Sequence, residues 1–284
     1  MFVIIGIAVV LGSVIAGFLI AGGNLVLLIQ ISEFITIGGA AIGSILISSP
    51  PILLKKIMSQ LPLLFKGHST SKEDYIEMLK AFSTLFLTAQ REGLLAIEKH
   101  IEAPEKSEIL SKSKSFIEDP IKKDFFCDTM KVMLAGSVPP HELENMMDAE
   151  IETYENENKP VSETIGRVGD SLPGLGIVAA VLGVIITMSS INEGAEAVGH
   201  HVAAALVGTF LGVLLSYGFV NPIAANLHHI ISDRIQDLII IKTFILAYVK
   251  GNPPFVAAEM ARRTIYSDHR PTFQELENAL RGKK

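Results

Sequence analysis

LPGLGIVAAVLGVIITMSSI (residues 172–191) and VAAALVGTFLGVLLSYGFV (residues 202–220) run without a single Lys, Arg, Asp or Glu. A bilayer core about 30 Å thick needs about 20 apolar residues at helical rise, and both stretches meet that length. A buried soluble helix of that length keeps a polar stripe, and residues 172–186 show none. Their small residues fit the same reading. Gly176 with Ala180, and Gly208 with Gly212, stand four apart, the spacing that lets helix backbones approach closely in lipid.

Two further spans open the chain, at residues 2–21 and 34–49. A cleaved signal peptide is the competing reading of the first, and it requires a basic start. No Lys or Arg precedes Lys55. The expected fold is therefore an all-α membrane protein with four transmembrane helices. It divides into transmembrane helices 1 and 2 (1–50), a large helical cytoplasmic insertion (51–168), transmembrane helices 3 and 4 (169–223), and a cytoplasmic helical extension and tail (224–284).

The 284 residues are 49% hydrophobic with a net charge of -6, and that average hides a segregation. Every Lys and Arg lies in 51–168 or 224–284, while the connections 22–33 and 192–199 have none. The positive-inside rule places both basic blocks and both termini in the cytoplasm, with the short connections outside. The inverted topology would have to export both blocks. Cys127 is the only cysteine, so no intramolecular disulfide or thiol-rich metal site is available. In Asp124-Phe125-Phe126-Cys127 it reads as a small buried hydrophobe. Mild acidity argues against nucleic-acid binding.

Span two ends at Ser48-Ser49-Pro50-Pro51. In the insertion, Ser71-Lys72-Glu73-Asp74 offers a Ser cap with an acid three residues on. The apolar pattern of Ile76, Leu79, Phe82, Leu85, Phe86 and Ala89 follows it. A helical pair is expected over 94–102 and 107–135, divided at Ala103-Pro104. After Pro139-Pro140, residues 141–157 read as an acidic, solvated helix. Lys159-Pro160 punctuates the run to Asp170-Ser171-Leu172-Pro173, the inner mouth of span three. Beyond Asn221-Pro222 an amphipathic pattern through Leu227, Ile231, Leu238, Phe244 and Ile245 predicts span four continuing inward to pack on the insertion. Gly251-Asn252-Pro253-Pro254 ends it, and 255–281 reads as one or two short helices before a disordered 282–284.

No nucleophile with a base, metal cluster or phosphate loop stands out, so no enzyme is expected. His228-His229 and His200-His201 are sequence neighbours about 100° apart on a helix, and Gly22-Gly23-Asn24 and Gly38-Gly39-Ala40 lack a phosphate-loop lysine. Ion-conducting proteins usually hold an ionisable group in the bilayer. Only Glu33, at the outer start of span two, and Asp170, at the inner start of span three, approach that role. What remains is hydroxyl: Thr187 and Ser189 on one span, Thr209 and Ser216 on the other. These can guide an ion or water but do not store a proton near neutral pH. If this chain helps conduct protons, a carboxylate from a partner chain is expected.

Val168-Gly169-Asp170-Ser171-Leu172-Pro173-Gly174-Leu175-Gly176, running on to Gly183, and Val207-Gly208-Thr209-Phe210-Leu211-Gly212 resemble the MotA family of flagellar motor stator subunits. More distantly they resemble the ExbB and TolQ energisers. The resemblance runs through nearly the whole chain, including Gly22-Gly23, Leu61-Pro62-Leu63-Leu64-Phe65, Glu98-Lys99-His100-Ile101-Glu102, Met147-Asp148-Ala149-Glu150-Ile151-Glu152 and Tyr266-Ser267-Asp268-His269-Arg270-Pro271.

The resemblance implies the A subunit of an ion-driven torque generator in the bacterial inner membrane. Five copies would surround a dimer of a MotB-like single-span B subunit, anchored to peptidoglycan and carrying the membrane aspartate. Prolines matching Pro173 and Pro222 would sit at the inner end of the ion path and couple passage to movement. The hydroxyl matching Thr209 would line the path. Sodium-driven relatives place a threonine where this chain has Ala180, which favours the proton as transported ion, and no cofactor is implied. The insertion would meet the rotor protein FliG through charges matching Arg91 and Glu98, although Gln90 occupies the aligned basic position and Arg91 stands beside it. The rival is an ExbB/TolQ-type energiser driving an outer-membrane system, a class that generally has three spans.

Overall fold

The computed structural model describes residues 2–66, 70–136, 138–189 and 191–282, and among these it is helical without a strand. The chain forms two compact units, one of residues 1–68 with 158–230, the other of 69–157 with 231–284.

In the first unit, α1 (Phe2–Ile20) and α2 (Ile31–Ser48) are joined by a turn at Gly22 (φ 81) and a single turn of tighter helix at Leu25–Leu28. Span two thus starts three residues before the expected 34 and stops at Ser48, where Pro50 caps α3 (Pro51–Gln60). The paired prolines break one helix and begin another, since a proline at the first helical position lacks only a donor that would be unpaired anyway. No residue of α1 is buried, and Phe2, Ile4, Val9 and Ile20 are exposed. Such an apolar surface suits lipid or neighbouring chains, not water.

The third span belongs to α6 (Pro140–Ser189) and the fourth to α7 (Ala195–Leu215), each label following α4 (Lys72–Glu92) and α5 (Pro120–Ala135) in chain order. Among the described residues four helices are long and apolar enough to cross a membrane. Pro160 and Pro173 both lie inside α6, whereas the sequence reads Lys159-Pro160 as a break. An interior proline costs a helix roughly 3 kcal/mol through its lost hydrogen bond and ring clash. Burial of the Val161 and Ile165 side chains beside Pro160 offsets that cost. Ile37 and Ala41 of α2, Leu172 and Ala179 of α6, and Val207 and Leu211 of α7 form the small core of this unit.

After α7 the backbone widens into one π turn, Ser216–Val220, before α8 (Asn221–Val249). Asn221 N–H donates to Ser216 O, five residues back. Pro222 follows with no N–H to give, and the wide turn lets the helix absorb that missing donor without stopping.

In the second unit, α4 begins with the expected capping box: Ser71 Oγ accepts from Asp74 N–H while Asp74 Oδ2 accepts from Ser71 N–H at 2.9 Å. Its buried face carries Leu79, Phe82, Leu85, Phe86 and Ala89. Phe82 stacks on Phe126 at 4.2 Å between ring centroids, and Phe116 meets Phe82 edge-on at 5.1 Å. Leu238, Phe244 and Ile245 of α8 enter this aromatic core, as the amphipathic pattern predicts. The expected helix over 107–135 is instead three pieces, at Leu110–Lys112, Lys114–Ile117 and α5. The break is local chemistry: Asp119 accepts from Ile121 N–H and Lys122 N–H, capping a helix whose first residue is Pro120. The acidic stretch 141–157 is not solvated all round, because Leu143, Met147 and Ile151 turn a buried stripe into the core at four-residue spacing.

Lys122 and Asp237 form an ion pair at 2.6 Å with side chains 4% and 2% exposed. Tyr75 Oη donates to Asp237 Oδ1 at 2.7 Å, and Thr70 accepts from Lys122 Nζ at 3.0 Å while donating to Asp237 Oδ2 at 3.2 Å. Burial first, and the Asp237 carboxylate second, push the Tyr75 phenol up, which keeps it a donor. Cys127 is buried as expected, its thiol raised from 9.0 to about 11 by desolvation, so it is a packing residue and not a nucleophile. Helices α9 (Pro254–Thr264) and α10 (Phe273–Arg281) follow, the second opened by a Thr272–Glu275 capping box and closed by Gly282 in the left-handed conformation. Lys283 and Lys284, at the end read as disordered, lie outside the described residues.

Candidate functional site

The spans α6 and α7 approach until backbone meets backbone. A methyl group on Gly176 would lie 2.7 Å from Gly208 O and 3.0 Å from Gly212 Cα, and one on Gly212 would lie 2.6 Å from Leu172 O. Further along, a methyl on Gly183 would strike Ala205 Cβ at 2.6 Å. The small residues at four-residue spacing are therefore an interlocking seam, in which Gly176, Gly183 and Gly212 have no room for a methyl group.

Around this seam the expected path residues separate by what their polar atoms do. Thr187 is fully buried and its hydroxyl donates to Gly183 O at 2.8 Å, so it back-bonds its own helix and is spent. Thr209, beside Gly208, is half-buried and makes no hydrogen bond among the described residues, which leaves its hydroxyl available. Ala180 is also half-buried, with its backbone N 3.1 Å from where a Gly208 methyl would sit.

At the other end of the seam, Asp170 and Asn221 tie the two spans together. Asn221 Nδ2 donates to Asp170 Oδ1 at 3.0 Å and reaches the buried Ser216 Oγ at 3.4 Å. Gly169 permits this approach, since a methyl there would lie 2.1 Å from Asn221 Oδ1. Each tied residue stands close to a proline, Asp170 before Pro173 and Asn221 before Pro222. Pro222 itself is exposed and lines an apolar cavity of about 320 Å³ with Phe2, Val10 and Tyr217. Sequence reasoning used Asn221 only as a helix boundary. A carboxamide directly before a proline inside an apolar run is the signal that could have singled it out.

Glu33 stands in the first turn of α2, at the start of span two as expected, but its side chain is not open to solvent. It is 7% exposed, and its Oε2 is buried without a hydrogen-bond partner. Arg91 and Glu98 lie in the second unit, both exposed. Gly93 (φ 92) ends α4 between them, so Glu98 opens a separate short helix, Glu98–Glu102.

The chain is similar to known proteins along its whole length. Residues 4–93 match the motility protein A N-terminal family and residues 117–239 the MotA/TolQ/ExbB proton channel family. Motility protein A of Escherichia coli is 37% identical over 284 residues, covering 100% of this chain and 96% of that one. Motility protein A of Salmonella typhimurium is 36% identical, covering 99% and 96%, and chemotaxis protein LafT of Vibrio parahaemolyticus is 36% identical, covering 97% of each. The structure of Campylobacter jejuni MotAB superposes with a TM-score of 0.79 at 23% identity, covering 95% of this chain and 98% of that one. The Bacillus subtilis flagellar MotAB stator complex gives 0.75 at 24%, covering 90% and 92%. Seam, capped insertion and end-to-end similarity agree: this chain belongs to the motility protein A family, within the MotA/TolQ/ExbB proton channel family.

Proposed function

We propose that this chain is the A subunit of a flagellar motor stator and couples inward proton flow to torque on the rotor. The observation that carries this reading is the glycine seam of α6 and α7 with an unspent hydroxyl, Thr209, beside it, in a chain similar end to end to motility proteins. The similar solved complexes are of MotA with MotB. By that analogy the partner is a MotB-like single-span subunit whose membrane aspartate receives the proton, with five copies of this chain around a dimer of it.

A proton passing Thr209 neutralises that carboxylate and removes a buried charge. Neutralisation drives motion because the charged and neutral forms prefer different surroundings, a carboxylate's desolvation cost being large. The surrounding ring then steps. Pro173 and Pro222, close to the Asp170–Asn221 tie, carry the step toward the second unit, whose exposed Arg91 and Glu98 meet the rotor protein FliG. Ala180 in place of a hydroxyl favours the proton over sodium. The charge distribution puts the basic blocks and both termini in the cytoplasm, and the spans in the inner membrane.

Swimming of a strain lacking its own copy, complemented with this chain in sodium-free medium, tests motor role and ion together. Motility that a protonophore abolishes is expected, with Thr209→Val and Pro173→Ala both immotile at normal membrane levels. Normal swimming by both variants would remove those residues from the mechanism, and swimming only with sodium would overturn the choice of ion.

A further inference from the structure

Among the described residues four helices carry an acid at their third position, Glu33, Asp74, Glu142 and Glu275, and two of those acids close a capping box. Asp74 and Glu275 each reach back to the backbone N–H of their N-cap residue. Glu33 holds the same position in α2 but caps nothing: the N-cap is Gln30, whose amide donates to Leu27 O instead. The Glu33 side chain turns into the bundle and stops against the seam. A methyl group on Gly208 would lie 2.5 Å from Glu33 Oε2, 3.1 Å from Ala180 N and 3.2 Å from Ala179 Cβ. The carboxyl therefore occupies the space that Gly208 leaves open, next to Ala180 and one residue from Thr209.

A carboxyl that forgoes a cap to sit in an apolar bundle without a partner is disfavoured as a charge unless something neutralises it. Glu33 makes no ion pair or hydrogen bond among the described residues. The other titratable groups on the elements around it are Glu196, His200 and His201 at the start of α7, Tyr217 in the π turn, and Asp170, which is tied to Asn221. None of them bonds to it.

We propose that Glu33 is a proton-holding carboxyl of this chain's own, placed on the ion path ahead of the partner's acid. This rests on the stator reading above. The carboxylate takes one proton from the side of the short 22–30 connection, becomes the neutral acid beside Gly208, and releases that proton past Thr209 to the next carboxylate. The absent side chain of Gly208 is then a requirement of the site as well as of the seam. Thr209 supplies the hydroxyl that bridges the two acids.

The full chain, coexpressed with its B subunit and reconstituted in vesicles, tests this by two readouts. Proton influx under an imposed pH gradient should fall about a hundredfold in Glu33→Gln, the scale of a lost positioned proton carrier, while Glu33→Asp retains most of it. Infrared difference spectra across carboxyl titration should show a protonated C=O stretch in the unaltered complex that Glu33→Gln removes and Glu33→Asp shifts. Unchanged flux in Glu33→Gln would overturn the proposal. Lost flux without a titrating band would overturn it too, by making Glu33 a packing residue. If the unaltered complex passes no protons, the stator reading fails, and the infrared band still decides whether Glu33 binds one.

Discussion

At the scale of single residues, what matters is whether a neighbour can yield. A methyl on Gly212 meets Leu172 O at 2.6 Å and Gly176 Cα at 2.8 Å, both backbone, so two helices must part to admit it. A methyl on Gly218 meets side-chain atoms, Val10 Cγ1 at 3.1 Å and Leu214 Cδ1 at 3.3 Å, which can rotate away. Gly212→Ala should therefore cost about 1–3 kcal/mol and Gly218→Ala distinctly less. Thermal unfolding of the detergent-purified complex measures both, and equal midpoints for the two variants would contradict the seam. The buried pair gives a second case. Asp237→Asn leaves the Lys122 ammonium without its counter-charge and should cost about 3–5 kcal/mol, whereas Lys122→Met with Asp237→Leu should cost less than the single change. Denaturant midpoints of the three proteins check the order.

At the scale of elements, the prolines of the spans separate stability from function. Pro173 sits inside α6, where an alanine would supply the missing N–H to Gly169 O and raise helix propensity by up to about 3 kcal/mol. Pro173→Ala should leave unfolding temperature unchanged or higher while abolishing swimming. A parallel fall in both would make Pro173 a packing residue. The π turn at Ser216–Val220 belongs to the same argument, since it places Asn221 within reach of Asp170 and Ser216. Removing the clamp by Asn221→Ala should reduce motility more than it reduces membrane level, measured by soft-agar swimming against immunoblot. Helix starts follow a simpler rule. Ser71, Asp119 and Thr272 each cap with their own side chain, and each start is where the sequence changes from polar to periodic.

At the scale of the whole molecule, two compact units divide the chemistry: an apolar one with interlocked glycines, and one with an aromatic core and exposed charge. The basic residues fall in 51–168 and 224–284, so a reporter active only in the cytoplasm should work when fused after Arg281 and fail when inserted at Asn24. The opposite pattern would invert the topology. The apolar stretches, the Ser71 cap and the amphipathic run of α8 were legible in the sequence because they depend on length, hydropathy and neighbours within one turn, whereas the Asp119 cap, inside the helix expected over 107–135, was not. Gly176, Gly208 and Gly212 were legible as packing residues for the same reason, by their spacing. Partnerships across the chain were not. Gln30 in place of a Ser or Thr shows locally that Glu33 has no capping box, as Ser71 gives Asp74 one, but nothing local shows that Glu33 is buried against Gly208. Nor does spacing show that Thr187 spends its hydroxyl on Gly183 while Thr209 keeps its own, or that Pro160 sits inside one helix. The sequence by itself determined which segments are long and apolar enough to cross a membrane and where α4 begins, through local transfer free energy and backbone donors. Only the tertiary structure decided which polar groups meet a partner, because those partners come from residues far apart in the chain and are set by how closely glycine lets the helices pack.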